Sequence, residues 1–454
     1  DVFEAGGYSI WAQPLEVVAP AEDDPPELAV LPAWKGAFQG PVERGLRDTT
    51  TGLPPADRRF GHSDYDPTLS LDWIGSSGAG VAVDRFGTRL SGGIAARFSD
   101  MLGRHHVGLA AQIDGGISDF GAQATYTDLG RRWNWGASAS HIPYRSYVYR
   151  QGTTTVDGPD GGEQTVGVLE RERLRTTVER GEAFLSYPFS RTRRVEVSGG
   201  VAYYHFDSRI EQLIVDERGA VVGRREFDGD DPAGLTLVQP SVALVEDTSF
   251  SGFTSPVMGS RVRLEYGPTF GSVRFQTVLA DARYYRQPFE PSTFAVRLMH
   301  YGRYGEDAED DRFSSLYLGY PTLVRGYDAG DFGSEDCPEG DCPGFDRLVG
   351  SRIGVVNFEW RLQLLGSDRY GVLDGGPLPT ELSLFFDGGV AWTKADEPLL
   401  RWETDTRDRV PVFSAGVAAR VALFGALPLE FHLAHPFQRE DVALDFGFVI
   451  APGW

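Results

Sequence analysis

No stretch of eighteen apolar residues occurs in this sequence, so it offers no transmembrane helix. Its longest greasy run, 413–431, is cut by Arg420 and again by Pro428. Methionine is scarce, at 3 residues, and cysteine scarcer, at 2. Basic residues are also in short supply: 43 Lys and Arg face 65 Asp and Glu, for a net charge of -22. That balance argues against a nucleic-acid partner, which wants a basic surface. What the chain has instead is glycine, 56 of 454 residues, and 12% aromatics. This composition suits β-ribbons better than packed helices. The mean hydropathy of -0.26 leaves a membrane barrel open, because barrel strands meet lipid only at alternate positions.

The acids gather at 228–231, 306–311 and 335–341, which read as solvated loops, and none of them has EF-hand spacing. The cysteines stand together as Cys337-Pro-Glu-Gly-Asp-Cys342, with no histidine nearby to complete a metal set. The pair reads as a small disulfide-closed loop in an oxidising compartment, with free thiols or a metal contact as alternatives. Residue 1 follows neither a basic nor an apolar leader, so the expectation is a removed signal peptide or the C-terminal part of something longer. Residues 1–65 differ from all that follows. A short strand at 3–11 precedes a Pro/acid-rich stretch around Pro20, Pro25 and Pro26, and the segment reads as a periplasmic leader or linker.

From about Thr68 the pattern becomes alternation. Val356, Phe358, Trp360 and Leu362 interleave with Asn357, Glu359, Arg361 and Gln363. Leu382, Leu384 and Phe386 interleave with Ser383 and Asp387, and Leu444, Phe446 and Phe448 with Asp445 and Gly447. Successive strand side chains point to opposite faces, so each segment has one greasy and one polar or small face. About sixteen such segments run from 68–75 to 442–451. The long connections expected at 152–167, 214–234, 305–350 and 393–411 all follow odd-numbered strands. Long loops on one rim and short turns on the other mark an all-β, antiparallel outer-membrane barrel occupying 66–454. An even strand count puts both termini on the short-turn, periplasmic side. Arg194 and Glu196, and Arg261, Arg263 and Glu265, fall on inward faces, which implies a wet lumen crossed by ion pairs.

The last third resembles the outer-membrane protein insertase superfamily (BamA, TamA and relatives). Val324-Arg325-Gly326-Tyr327 is similar to the VRGY/F motif of the family's sixth extracellular loop. Asn357-Phe-Glu359-Trp-Arg361, Phe385-Phe-Asp387-Gly-Gly-Val-Ala-Trp392, Ser414-Ala-Gly416 and Pro428-Leu-Glu-Phe431 through Pro436-Phe437 follow in the family's order. The last strand, with Phe446 and Phe448 and ending at Trp454, resembles its terminal β-signal. The resemblance implies that the 305–350 loop folds back as a plug and that Arg325 pairs with Glu359 and Asp387. It departs from the family at the start: POTRA domains precede the barrel there, and 65 residues leave no room for one. The segment 3–11, with Asp72 and the run Phe98-Ser-Asp-Met-Leu-Gly103, resembles a barrel fused to a TolB-like propeller.

Enzyme signatures are missing. No zinc spacing, Gly-x-Ser-x-Gly elbow, phosphate loop or His-Glu-x-x-His occurs, and no cofactor is implied. His432 and His435 lie three apart on a strand and so face opposite sides. The resemblance implies that clients, whether β-barrels or secreted proteins, are inserted or moved at a seam between the first strand, 68–75, and the last, 442–451. A short, easily opened pairing would offer a template edge. The other readings are an anchor or scaffold for periplasmic partner subunits and a plugged porin. Lipid is a partner in all of them.

Overall fold

The computed structural model describes residues 2–4, 7–9 and 65–450, except 85–86, 115–118, 158–162, 216–219, 333–341, 367–369, 375–377, 405, 424–426 and 440–441. The chain divides into two units, Asp1–Thr68 and Leu69–Trp454. In the first, the segment expected as one strand is a hairpin: Val2–Glu4 pairs antiparallel with Gly7–Ser9. Glu4 faces Gly7 across the pair.

The second unit is a closed antiparallel barrel. Its staves are β1 (Ser70–Asp84), β2 (Gly87–Ser99), β3 (His105–Asp114), β4 (Phe120–Asp128), β5 (Asn134–Asp157), β6 (Glu163–Pro188) and β7 (Arg193–Val215). The next stave, β8, is broken into Val221–Asp228, Leu235–Val238 and Ser241–Asp247. Then come β9 (Pro256–Gly271), β10 (Phe275–Phe289), β11 (Ser292–Tyr304), β12 (Arg352–Gly366), β13 (Thr380–Trp392), β14 (Val412–Leu423), β15 (Leu427–Pro436) and β16 (Asp445–Ile450), with β16 beside β1. No helix is long and apolar enough to cross a membrane among the described residues.

Alternation sorts the two faces. On β12, Asn357, Glu359 and Arg361 are buried inside while Val356, Phe358 and Trp360 are exposed outside. The same holds on β13 for Glu381 and Asp387 against Leu382, Leu384 and Phe386. A continuous belt of exposed leucine, valine and phenylalanine costs little in hydrocarbon and much in water. Aromatics ring the belt at both rims: Trp73, Trp133 and Phe289 near the short turns, Tyr203, Tyr266 and Phe270 near the long loops. Such girdles mark membrane interfaces. The sheet between β2 and β6 is thin-walled, built on Ala96, Ala110, Ala111, Ala122, Ala124 and Ala139.

Two sequence expectations need correction. The stretches 152–167 and 214–234 are not long loops. β5 continues to Asp157 and β6 starts at Glu163, paired in unbroken register, and Val221–Asp228 folds back onto β7. Spanning takes about 9–11 residues per strand, so β5, β6 and β7 project beyond the girdle by roughly 40 Å of ribbon at about 3.3 Å per residue. Charge disguised the ribbon as loop. Ion pairs hold it: Arg150 to Glu170 (3.0 Å) and Glu172 (2.8 Å) and Glu211 between Arg171 and Arg224 across the strands, and Arg145 to Asp119 (3.1 Å) just ahead of β4. Opposite charges facing across a ladder stabilise it much as apolar pairs do.

The first strand is also longer than 68–75. It runs through Gly75-Ser-Ser-Gly78 to Asp84 and pairs with β2 over that length, with register shifts at Leu71/Trp73 and Ser76/Ala79. The small residues that read as a terminator are bulges. The last stave is described over Asp445–Ile450.

Candidate functional site: the buried loop motif and its ion network

The described parts of the segment between β11 and β12, 305–332 and 342–351, turn back into the lumen. Their apolar residues Leu318, Val324, Tyr327 and Leu348 form one core with Ile353 and Val355 of β12, Ala391 of β13 and Val412 of β14. The wall makes room for it. A Cβ on Gly389 would stand 2.7 Å from Leu318 and 2.9 Å from Val324, closer than carbon atoms pack.

Arg325 lies at the centre of this contact with 2% of its surface exposed, among acids exposed by 0% (Glu359, Asp387) and 2% (Glu430). Its Nε and Nη2 donate to the two carboxylate oxygens of Asp387 at 2.7 and 2.9 Å. Nη2 also lies 2.9 Å from Glu359, and Nη1 is 3.2 Å from Glu430. The guanidinium sits over the Phe385 ring, 3.6 Å from its centroid. Planar, permanently charged and five-donor, arginine is the side chain that can bind three carboxylates from one position. Asn357 holds the backbone around it, donating to Leu323 O (2.7 Å) and to Asp387 (2.9 Å), and Arg297 donates to Thr322 O at 3.0 Å.

The remaining motif residues lock the turn. Gly326 has φ 85°, and a Cβ there would meet that of Ala434 at 3.1 Å. The Tyr327 hydroxyl is 2.9 Å from Phe413 O and 2.9 Å from Gln438 Oε1. Tyr317 donates to Tyr327 O. Gly326→Ala is expected to loosen the docked loop by about 1–2 kcal/mol from the left-handed backbone alone. Faster amide exchange across 320–328 would register it, and unchanged exchange would show that the turn tolerates a side chain.

Burial pushes the Tyr327 phenol up to about 12, with Arg347 and Arg439 partly offsetting the shift. A tyrosine whose folded value is raised stabilises the fold fully below its ordinary value near 10 and loses that contribution as pH climbs through the folded value. The docked loop is therefore expected to hold to about pH 10 and to release toward 12. Tyrosinate absorbance from Tyr327, compared with Tyr327→Phe, would show this. Titration of that tyrosine at the ordinary value would refute it.

Behind Arg325 stand two further buried guanidiniums. Arg420 reaches Glu430 (2.6 Å), Glu359 (2.9 Å) and Glu381 (3.4 Å), and Arg361 reaches Glu359 at 2.7 Å. Arg420 and Glu430 were not singled out from sequence as partners of the motif. The signal was present: Arg420 interrupts the longest apolar run, and Glu430 sits in the Pro-Leu-Glu-Phe segment at an inward position. Of the paired histidines, His432 is buried and His435 exposed, on opposite faces of β15. Cys342 is disulfide-bonded, while Cys337 lies outside the described residues. Phe446 and Phe448 are on the outer face of β16, 66% and 46% exposed, and Trp454 lies outside the described residues. No group of three or more metal-ligating side chains occurs among the described residues.

The lumen is filled unevenly. The loop occupies the side of β11 to β15. On the other side a polar cavity of about 600 Å³ is lined by Arg180, Glu182, Glu196, Gln239, Arg263 and Glu265. Arg263 bridges Glu196 (2.7 Å) and Glu265 (2.6 Å), the mixed-charge inward face read from the alternation.

A closed antiparallel barrel with an apolar belt, aromatic girdles and an arginine-locked lumen loop defines a transmembrane β-barrel of the bacterial outer-membrane type. The Omp85 superfamily domain matches residues 170–451, and the chain belongs to that superfamily. Among solved structures it is similar to BamA from Haemophilus ducreyi lacking POTRA domains 1-3, with 13% identity and a TM-score of 0.52. That match covers 85% of this chain and 70% of that one. It is also similar to CdiB from Acinetobacter baumannii (13% identity, 84% and 59% coverage, TM-score 0.46). CdiB from Escherichia coli matches at 14% identity, 84% and 62% coverage and TM-score 0.47. The chain thus spans about 60% of the CdiB chains it matches. At 13% identity the likeness to BamA shows the fold alone. No curated protein matches.

Proposed function

We propose that this chain spans the bacterial outer membrane with its termini in the periplasm and inserts client polypeptides, as BamA-like barrels do, through the seam between β1 and β16. No chemical step is needed for that role. The observation that carries the reading is the closure of the barrel between its first and last staves: β16, described over Asp445–Ile450, stands beside β1, Ser70–Asp84. Opening that joint frees two strand edges, each a template on which a client strand can pair. The resemblance of the 324–327 motif and its acids to the family's loop supports the same reading, as does the superfamily match.

A disulfide engineered between β1 and β16 is expected to abolish client insertion into proteoliposomes and to restore it on reduction. Insertion by the oxidised, cross-linked protein at the uncross-linked rate would remove the seam from the mechanism. A second reading, polypeptide passage through the lumen, is favoured by the polar cavity beside the docked loop. Conductance in planar bilayers separates the two: a steady large channel supports a pore, and small or flickering currents support the seam.

A further inference from the structure

The connection 248–255 between β8 and β9 is a short turn on the rim opposite the 305–351 loop; Phe250 and Ser251 pair with Met258 and Pro256 of its own hairpin, yet its tip also reaches other staves. Ser255 Oγ donates to Glu381 Oε2 at 2.6 Å, and Thr254 Oγ1 lies 3.2 Å from the same oxygen and 3.2 Å from Gln363 Oε1. Pro256 O accepts from Arg361 Nη1 at 3.2 Å. Phe253 meets the Tyr370 ring edge-on at 6.5 Å. These partners belong to β12, β13 and the 367–379 connection, over eighty residues away in sequence, so the turn is folded in against the inner wall.

The residues it grips are the far end of the ion network. The other oxygen of Glu381 faces Arg420 at 3.4 Å. Arg420 Nη2 shares Glu359 Oε1 with Arg325, each at 2.9 Å. Arg420 also holds Glu430 Oε2 at 2.6 Å, while Glu430 Oε1 takes Arg325 at 3.2 Å. A parallel route runs from Pro256 O through Arg361 to Glu359. Ser255, Glu381, Arg420, Glu359 and Arg325 are all more than nine-tenths buried.

We infer that the 252–256 turn and the Arg325 loop are two latches on one ion network, coupled across the membrane so that freeing either loosens the other. Lifting the turn takes two hydroxyl donors from Glu381 and one acceptor from Arg361. Arg420 must then serve a less satisfied Glu381, and Arg361 turns further onto Glu359, so both draw strength from the carboxylates that hold Arg325. In a low-dielectric interior such redistribution is large, and coupling between two sites is reciprocal. The consequence is that a polypeptide segment engaging the short-turn rim can loosen the plug on the far rim without entering the lumen. The coupling stands whether cargo uses the seam or the lumen.

The test is amide exchange on the full chain in lipid nanodiscs. In a Thr254→Val/Ser255→Ala variant, protection across 318–328 is expected to fall about tenfold, while β3 and β4 keep theirs. In Arg325→Ala, protection across 250–256 is expected to fall in turn. Should the double variant fail to fold, Ser255→Ala alone and Arg325→Lys give the same two readings at smaller amplitude. Loss of protection at both ends in each variant supports the coupling. Loss confined to the altered end in either variant overturns it.

Discussion

Arg325→Ala is expected to free the 305–351 loop from the wall, at a cost to the docked state of about 3–5 kcal/mol. The magnitude follows from what is left behind. Asp387 loses two hydrogen bonds from the guanidinium, and Glu359 and Glu430 lose one close positive partner each. All three stay enclosed, and removing one member of a buried charge group costs more than the group contributed, because the others cannot reach water. Arg325→Lys should recover only part of this, since an ammonium cannot chelate Asp387 while also meeting Glu359 and Glu430. Single-channel recording should show the quiet wild-type barrel become a larger, steadier conductor in the alanine variant. Identical currents would mean that the apolar contacts of Leu318, Val324 and Leu348 hold the plug without the arginine.

Arg420→Ala should be more damaging still, because it acts on the barrel wall itself. Glu359, Glu381 and Glu430 come from β12, β13 and β15, and Arg420 on β14 is the one guanidinium that touches all three among the described residues. Without it, like charges on neighbouring staves face one another in an apolar surround, again a loss of about 3–5 kcal/mol. The expected result is a large fall in the temperature at which the barrel loses its compact, fast-migrating form in electrophoresis. Replacing Arg420 with methionine together with Glu381→Gln and Glu430→Gln should restore part of that temperature, since an uncharged set has no unpaired ion to bury. A triple variant no better than Arg420→Ala would show that the arginine acts through packing along its stem, not through its charge.

The sequence carried the barrel because alternation is a local signal, and each strand announces its own two faces. Val356 to Gln363 and Leu382 to Asp387 could be sorted into outside and inside without knowing what they touch. The meeting of Arg325 with Glu359 and Asp387 was legible only through the family resemblance, since nothing local says where a loop of some forty residues will fold. Arg420 and Glu430 were visible as inward charges, but their place in the network depends on sheet order. The ribbon beyond the girdle was misread for a different reason. Thr153 to Thr155 and Glu170 to Arg173 are polar on both faces, and a strand in water on both sides shows no hydropathy alternation for the eye to find. The 252–256 latch had no sequence signal at all, because serine and threonine in a turn ordinarily bond their own backbone.

The uneven filling of the lumen has a mechanical consequence. Staves β11 to β15 are braced from within by the loop and its ions, so that arc resists bending. Staves β2 to β6, with alanine on their faces and solvent behind, have little to stiffen them beyond the ladder. A load across the barrel will therefore flatten the alanine arc first, and the strain will collect where the rigid arc ends. β16 sits at one of those ends, so elastic energy put into the flexible flank is delivered to the joint where the barrel closes on β1.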